Sequence, residues 1–491
     1  MRKGDKTMGK QTAWDEIDKK AAEILEGSDE IWGCAETAFT ETGSMKILCD
    51  LLKKEGFQVE ENLAGVATAF KGTFGSGKPV IGFLGEYDAL SGLDQEAGLA
   101  EKKQINAGAP GHGCGHNMLG TASLSAAIGV KKYLEESGKS GTIIYFGCPG
   151  EEGGSGKAFM AKGGVFADLD AAITWHPGDL TRADTGSSLA NYQVAYKFYG
   201  TSAHAGGAPH LGRSALDALE LMNMGVQFLR EHVVPEARIH YAITNTGGYS
   251  PNVVQPYAEV LYLIRAPKNA QVKELFERVN DIAKGAALMT GTRMEMQFVK
   301  ACSNLVDNTV LEEILQKNLE SIEREPYTAE EIDFAKRISE TYGGNKLDIQ
   351  ELLKRYEKSK KKSVEAIFTA HKDDVLSDFI VPLMDVETGM AGSTDVGDVS
   401  WVCPTAQINT VTDAAGTPGH SWQEVAQGKS SIAHKGMLFA GKVMAGAVID
   451  LLENQELIEE AKEELTKRVG SEGYIPPIPK DIRPMAINPK K

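Results

Sequence analysis

The stretch PVIGFLGEYD at residues 79–88 decides the fold, because a short apolar run ends abruptly in a cluster of polar residues. An apolar run bounded by Gly, Pro or charged residues is typical of a strand that is buried on both faces. Two further runs, at residues 142–147 and 171–175, have the same form. Between the first two, residues 119–136 are rich in Ala, Leu, Ile and Val, which predicts a crossover helix and an α/β fold.

Length and composition set the broad class of the protein. With 491 residues, 42% of them hydrophobic, the chain is long enough for two or three structural units and a sizeable core. The 68 acidic side chains exceed the 52 basic ones, and the net charge of -16 disfavours a nucleic-acid or anionic-membrane partner. The most apolar long segment, residues 436–452, is interrupted by Lys442 and Asp450, so no transmembrane helix is predicted.

The expected location is the cytoplasm. The first sixteen residues lack the apolar stretch of a secretory signal, and we expect them to remain uncleaved. Six cysteines are scattered along the chain without the spacing of a disulfide framework, which suits a reducing compartment.

A change of pattern near Leu189 predicts a second structural unit. Alternating segments at residues 191–199 and 253–265 flank a helical stretch at 214–231, which is typical of an α+β unit.

Beyond Cys302 the chain becomes strongly helical and charged. Thr328 and Glu331 have the spacing of a capping box at the start of one helix. A long helix at residues 431–452 is expected to close the core, and the Pro-rich tail from Tyr474 is expected to be extended.

Polar side chains follow each of the three predicted buried strands. Glu86 and Asp88 follow the first, Glu151 and Glu152 the second, and His176 the third. In open α/β sheets, ligands bind outside the carboxyl ends of the strands. Two adjacent carboxylates beside an apolar strand need a cation or a raised pKa, although a solvated turn explains them equally well. The sequence therefore predicts a carboxylate and histidine cluster at one edge of the sheet.

The loop GHGCGHN at residues 111–117 precedes the predicted crossover helix and carries Cys114 and His116. A thiolate and an imidazole two residues apart on a glycine-rich loop can turn towards one ion. Taken alone, such residues are more often a buried small hydrophobe and a structural histidine. The carboxylates and the histidine that follow the predicted strands favour a metal site over a purely structural role for Cys114 and His116. The glycine-rich run ending at Lys157 is not a phosphate-binding loop, because Ala158 replaces the required hydroxyl residue.

Five motifs in this order make the chain similar to the M20 peptidase and amidohydrolase superfamily, and to its Cys-Gly-His branch. The resemblance runs from about residue 20 to residue 480. It implies a zinc-peptidase-like catalytic domain with a central mixed sheet at residues 1–188 and 303–491. It also implies an inserted α+β, ferredoxin-like lid and dimerisation domain at residues 189–302. The motifs are GEYDAL at 85–90, GCGHN at 113–117, EEGG at 151–154, WHP at 175–177 and SAHA at 202–205.

The resemblance implies a hydrolase that holds two divalent metal ions per chain. Cys114 would bridge the two ions, with His116 and His176 completing one ligand set and Glu152 and His420 the other. Thiolate, imidazole and carboxylate together accept several metals, of which zinc and manganese are the expected ones.

The resemblance also assigns roles beside the metals. Glu151 would act as the general base, taking a proton from a water held between the ions and passing it to the departing nitrogen. Asp88 would orient one of the ligands. Asn117 departs from the aspartate that many members of the branch carry, which weakens the analogy to ordinary aminoacylases. Glu86 stands where other branches place a metal-binding histidine, and it is not expected to be a ligand.

Four residues of the inserted domain are expected to contact substrate. By resemblance, His204 of one subunit reaches the active site of its partner in a homodimer and stabilises the oxyanion, although it could instead cap a turn. Asn252 and Arg265 resemble positions that bind the substrate's terminal carboxylate, and Arg213 is a further candidate. A guanidinium suits bidentate carboxylate recognition, although Arg265 could equally be a surface strand residue.

These implications make the chain an amidohydrolase that cleaves an amide bond to an amino acid in a small molecule. An aminobenzoyl-glutamate-like substrate is the most specific expectation. A dipeptidase or an N-acyl amino acid aminoacylase is the alternative. A third interpretation is a non-catalytic metal-binding subunit that serves an unlike partner chain, although all five ligand positions and the base are present.

Overall fold

The computed structural model describes residues 3–344, 347–385, 392–471 and 473–486, and two β-sheets organise this part of the chain. The strands of the first sheet are β1 (Gln58–Glu61), β2 (Phe70–Ser76), β3 (Val80–Glu86), β4 (Gly141–Cys148), β5 (Ala171–Gly178), β6 (Arg182–Ala183) and β11 (Thr405–Val411). The strands of the second sheet are β7 (Ala190–Tyr199), β8 (Arg238–Asn245), β9 (Tyr257–Ala266) and β10 (Arg293–Cys302).

The helices of the first half of the chain are α1 (Lys3–Cys34), α2 (Thr42–Lys54), α3 (His116–Ser137), α4 (Glu151–Gly154), α5 (Gly156–Lys162), α6 (Ala215–Leu229) and α7 (Asn269–Thr290). Those of the second half are α8 (Thr309–Ser321), α9 (Ala329–Glu340), α10 (Ile349–Leu353), α11 (Lys361–His371), α12 (Val396–Ser400), α13 (Trp422–Gln427), α14 (Ser431–Glu453) and α15 (Glu456–Val469).

The first sheet is mixed. Its order is β1-β2-β4-β3-β5-β11-β6, with β4, β3, β5 and β11 parallel to one another and the other three strands antiparallel to their neighbours. The three strands predicted from apolar runs are confirmed as β3, β4 and β5. The predicted crossover helix is confirmed as α3, which connects β3 to β4.

Helices α3 and α14 pack on the first sheet, α1 packs against both of these helices, and together they form the main core with the sheet. Their backbones approach closely where α14 crosses α3, because a Cβ at Gly441 would lie 2.1 Å from Oγ of Ser125. Glycine at this position therefore allows the helix predicted at residues 431–452 to close the core.

The second sheet is antiparallel, in the order β10-β7-β9-β8. Helices α6 and α7 cover one of its faces, and the chain order βαββαβ with this strand order is ferredoxin-like. The predicted fold class, a mixed central sheet with an additional ferredoxin-like unit, is confirmed. The exact boundaries proposed for that unit, residues 189–302, stay a prediction.

The helical region after β10 agrees with its sequence signals. Oγ1 of Thr328 accepts the backbone N–H of Glu331, and the Glu331 carboxylate accepts the N–H of Thr328, so the capping box of α9 is confirmed. Across the described parts of the chain, no helix is long and apolar enough to cross a membrane.

Candidate metal centre

A cavity of about 430 Å³ lies between the carboxyl ends of the first sheet and the face of the second sheet that α6 and α7 leave uncovered. The first sheet and its loops contribute Glu86, Cys114, Glu151, Glu152 and His176 to the wall, and His420 lines it as well. The strand ends singled out in the sequence therefore meet at one place, as the topology of a parallel sheet requires.

Two groups of three potential ligands share one thiol in this cavity. Cys114 groups with His116 and His176, and it groups separately with Glu152 and His420, with the ligand atoms of each group within 4.8 Å of one another. Sγ of Cys114 lies 3.4 Å from Nε2 of His176, and Oε1 of Glu152 lies 3.4 Å from Nε2 of His420. The structure thus brings together all five side chains that the family resemblance proposed as ligands.

Local backbone geometry places these side chains. Gly115 has φ of 65° at the start of α3, and a Cβ there would lie 2.8 Å from the ring of Pro177, so the loop can close against the end of β5. His420 also has a positive φ, 55°, which is rare for a residue with a side chain. Its backbone N–H is shared between the carbonyl of Gly113 and the carboxylate of Glu424, each at 2.9 Å. Strained backbone of this kind often accompanies functional sites.

Asp88 connects the two ligand groups. Its Oδ1 lies 3.0 Å from Nδ1 of His116, and its Oδ2 accepts the backbone N–H of Glu152 at 2.9 Å. Burial alone would raise the pKa of Asp88, but the contact with His116 lowers it below its usual value. With Nδ1 held by the carboxylate, Nε2 of His116 is the atom left for a metal ion.

The donor atoms fit divalent cations. Nε2 of His116 and Oε1 of Glu152 are buried and make no hydrogen bond within the described part of the chain, although Nε2 lies 3.1 Å from a Glu86 oxygen. A buried polar atom without a partner is unfavourable, and a metal ion removes that penalty. Sulfur, imidazole and carboxylate are the donors that zinc and its neighbours accept.

The charges in the cavity also call for a cation. Burial, and then the neighbouring Glu151, raises the pKa of Glu152 to about 8. Burial, and then Glu152, raises the pKa of the Cys114 thiol well above its usual value. Burial lowers the pKa of His420, which keeps its imidazole neutral, as a ligand must be. An ionised thiol and carboxylate at this place need added positive charge.

Glu151 lies at the edge of the same cluster, within 4.8 Å of a ligand atom from each of Glu86 and His116. Burial raises the pKa of its carboxyl, and the charge on Glu86 adds to the rise. A carboxylate with a raised pKa beside a ligand cluster has the properties of a general base.

Lys157 is a fully buried cation that sequence reasoning assigned no role. Its Nζ lies 2.6 Å from Oε1 of Glu86 and 2.5 Å from Oδ1 of Asp395. Burial would lower the pKa of Lys157, but these two carboxylates hold it well above the usual value. Glu86 is therefore neutralised by a lysine, although it also groups with His116 and Glu151 as a potential ligand set.

Three of the residues expected to contact substrate lie outside this cavity. Nδ1 of the exposed His204 accepts the backbone N–H groups of Gly206 and Gly207. The Arg213 guanidinium donates to backbone carbonyls of its own turn, and Asn252 is exposed. Within one chain, the structure does not bring these three side chains to the metal centre.

Arg265 does line the cavity. Its Nη1 lies 3.4 Å from Oγ of Ser393, and its Nε is buried without a hydrogen bond to any described residue. Two further basic residues of the cavity wall, Arg182 and Lys300, were missed by sequence reasoning. Arg182 is paired with Asp184 at 2.8 Å. Lys300 could have been found only if β10 had been predicted.

The chain is similar in sequence and in fold to several known proteins. The family model described as a peptidase dimerisation domain, of the M20 type, matches residues 188–289. The chain is 47% identical to a p-aminobenzoyl-glutamate hydrolase subunit of Escherichia coli, covering 96% of this chain and 98% of that protein. It is 30% identical to the Xaa-Arg dipeptidase of Mus musculus, covering 59% of this chain and 65% of that protein. A solved Bacillus subtilis structure, described as a dinuclear metal binding peptidase from the M20 family, superimposes with a TM-score of 0.53 at 15% identity, covering 89% of this chain and 99% of that one.

Proposed function

The chain belongs to the M20 family of metal-dependent peptidases and amidohydrolases, and from this premise we propose that it hydrolyses the amide bond of aminobenzoyl-glutamate. The observation that carries the proposal is the sharing of Cys114 between two three-ligand groups that open on one cavity. The 47% identical relative, which carries the name of that hydrolase, supports the substrate.

The metal centre takes two divalent ions, zinc or manganese, in this proposal. Cys114, His116 and His176 would hold one ion, and Cys114, Glu152 and His420 would hold the other. When bound, such ions polarise a carbonyl and lower the pKa of water. Asp88 keeps the His116 ring in the orientation that points Nε2 at the centre.

Glu151 moves the proton. Its carboxylate accepts a proton from the attacking water and delivers it to the amide nitrogen that leaves with the glutamate. The raised pKa of Glu151 suits this task, because a base whose pKa is closer to the working pH both accepts and returns a proton readily. Arg265, which lines the cavity, binds a carboxylate of the amino-acid half.

The lid unit assembles a homodimer. Large apolar side chains on α6 and α7 are exposed, among them Phe228 at 69%, Leu288 at 84% and Met289 at 68%. Exposed large apolar side chains on two neighbouring helices support a subunit interface on this side of the unit. His204 lies outside its own cavity and acts in the site of the partner, where an imidazole can stabilise the oxyanion.

All six cysteines are free, which supports the proposed cytoplasmic location.

Two other functions have an observation in their favour. The 30% identical relative is named as an Xaa-Arg dipeptidase, but the cations Arg265 and Lys300 in the cavity wall disfavour a basic residue in the substrate. The 47% identical relative is named as a subunit, which supports a requirement for an unlike partner chain.

The direct test is turnover by the purified single chain loaded with zinc or manganese. Release of aminobenzoate from aminobenzoyl-glutamate is expected to exceed cleavage of hippurate and of a dipeptide ending in arginine. Preferential cleavage of the dipeptide would favour the dipeptidase. No cleavage by the chain alone, followed by activity when a second polypeptide is added, would favour a role as one member of a two-chain enzyme.

A further inference from the structure

Lys300 is a buried cation in the cavity wall that the proposed mechanism leaves without a role. Its side chain is on β10, and the residue is only 7% exposed. The ammonium group donates to the backbone carbonyl of Glu152 at 3.0 Å and lies 3.4 Å from that of Glu151. Among the described residues, no carboxylate lies within ion-pairing distance of it. Among the described residues its hydrogen-bond partners are these two carbonyl groups, and its charge also acts on the nearby Glu151 carboxyl.

Arg265, which the proposed mechanism already assigns to a substrate carboxylate, also has no ion-pair partner among the described residues. It contacts the Ser393 hydroxyl, its buried Nε has no hydrogen bond, and no described carboxylate pairs with it. The other two cations at this site are neutralised: Arg182 pairs with Asp184, and Lys157 with Glu86 and Asp395. Two cations in one cavity wall thus have no ion-pair partner among the residues that the structure describes.

Strand register places both cations on one face of the second sheet. Lys300 is opposite Gln193 on β7, and Gln193 is opposite Leu263 on β9, two residues before Arg265. Because side chains alternate along a strand, Lys300 and Arg265 stand on the same face, two strands apart, or roughly 10 Å between strand axes. Both have long side chains, so their charged ends can reach two groups of one small ligand.

A buried cation is stable only when an anion or a full set of hydrogen-bond acceptors meets it. A ligand that carries carboxylates would supply the ion-pair partners that Lys300 and Arg265 lack among the described residues. We propose that Lys300 and Arg265 each bind one carboxylate of the substrate, so that the site selects N-acyl derivatives of dicarboxylic amino acids, glutamate or aspartate. This inference rests on the proposed function and adds the second carboxylate subsite, at Lys300, to it.

A competing role for Lys300 is to hold the Glu151–Glu152 turn, whose two carbonyls it contacts. Its positive charge also opposes the rise in the pKa of Glu151. Either effect would act on the reaction of every substrate to the same extent. If Lys300 binds a carboxylate, the effect of substituting it will depend on the charge of the substrate. This dependence distinguishes carboxylate binding from the other two effects.

The experiment compares three ligands on the metal-loaded protein: aminobenzoyl-glutamate, its γ-amide and its α-amide. Lys300→Met is expected to lower kcat/KM for the dicarboxylate roughly 10- to 100-fold, mainly through KM, which is the size of one lost charged hydrogen bond. The Lys300→Met variant should no longer prefer the dicarboxylate to one of the two monoamides. Its turnover of that monoamide should be close to the turnover by the wild type. Arg265→Met should abolish the preference over the other. Lys300→Arg should restore much of the loss.

Lys197→Met is the matched control, because Lys197 is on the same face of β7 but does not line the cavity. Circular dichroism and metal content establish that each variant is folded and loaded. An equal loss for all three ligands, or no loss at all, would overturn the role of Lys300 while leaving the hydrolase activity intact.

The calorimetric dissociation constants of the same three ligands are measured in parallel. Binding without turnover would contradict the proposed function, yet the ratio of Kd between wild type and Lys300→Met would still decide the carboxylate subsite. Absence of binding to the wild type would overturn both.

Discussion

Asp88 and His116 form a hydrogen bond of 3.0 Å inside the protein, and the second oxygen of the same carboxylate holds the backbone of Glu152. One carboxylate thus orients a potential ligand in each of the two groups. Asp88→Ala is expected to lower the affinity for metal roughly 10- to 100-fold, since the partners that orient ligands typically have effects of this size. Titration with zinc under a competing chelator measures the change. An affinity equal to that of the wild type would remove Asp88 from the centre.

Glu151→Gln is expected to separate chemistry from metal binding. A general base contributes roughly 10²- to 10⁴-fold to the rate, and the amide cannot accept the proton. Turnover of aminobenzoyl-glutamate should fall by that factor while metal content stays at the wild-type level. Glu101→Gln, at an exposed position, is the control. Unchanged turnover in Glu151→Gln would exclude it as the base.

The shared thiol predicts unequal effects of ligand substitutions. Because Cys114 belongs to both three-ligand groups, Cys114→Ala should deplete both ions, whereas His420→Ala should deplete one. Elemental analysis after gel filtration gives the metal content per chain. Since metal stabilises only the folded state, Tm should fall more in Cys114→Ala than in His420→Ala. Loss of equal amounts of metal in the two variants would argue against a bridging role.

Stability should also depend on pH through Asp398, away from the metal centre. This carboxyl is buried against Ser303 and Tyr474, and burial raises its pKa to about 7, even though the hydrogen bonds from both residues oppose the rise. The folded state therefore holds a proton that the unfolded state releases near pH 4, so the free energy of unfolding should fall as the pH rises from about 4 to about 7.

Asp398→Asn cannot ionise and should show a flatter stability profile over that range. Urea denaturation of wild type and variant at pH 5 and pH 7 measures the difference. Parallel profiles in the two proteins would show that another group controls the dependence.

The exposed position of His204 predicts complementation between two inactive chains. In the proposed homodimer, His204→Ala and Glu151→Gln would each remove one half of a site that two subunits share. In an equal mixture, half of the dimers combine both variants and contain one intact site, so about one quarter of wild-type activity should return. Activity measured before and after co-refolding tests this. If His204→Ala alone is fully active, the histidine has no role in the partner's site.

The strands that could be predicted from the sequence are those buried along most of their length. Strands β3, β4 and β5 read as continuous apolar runs because helices or neighbouring elements cover both of their faces. The edge strand β8 was missed because seven of its eight residues are exposed, so no apolar alternation marks it. Strand β10 begins Arg-Met-Glu-Met-Gln with little burial, so neither this strand nor Lys300 was identified from the sequence.

The candidate site shows the same division. Cys114 and His116 were found because their spacing is local, and Glu151, Glu152 and His176 because they end predicted strands. His420 was reached only by resemblance, since an exposed loop residue with positive φ has no periodic pattern around it. The neutralisation of Glu86 by Lys157 could not be foreseen, because that contact depends on packing between elements distant in sequence.

Two different parts of the fold form the cavity. The five metal-ligand candidates are on the first sheet and its loops, whereas Lys300 and Arg265 stand on the second sheet. If Lys300 and Arg265 recognise the substrate as proposed, substitutions on the second sheet would change which amino-acid half is accepted and leave the metal-ligand candidates unchanged. Substrate range and hydrolytic chemistry would then reside in different parts of the fold, so that substitutions on β9 and β10 could change the first and leave the second intact.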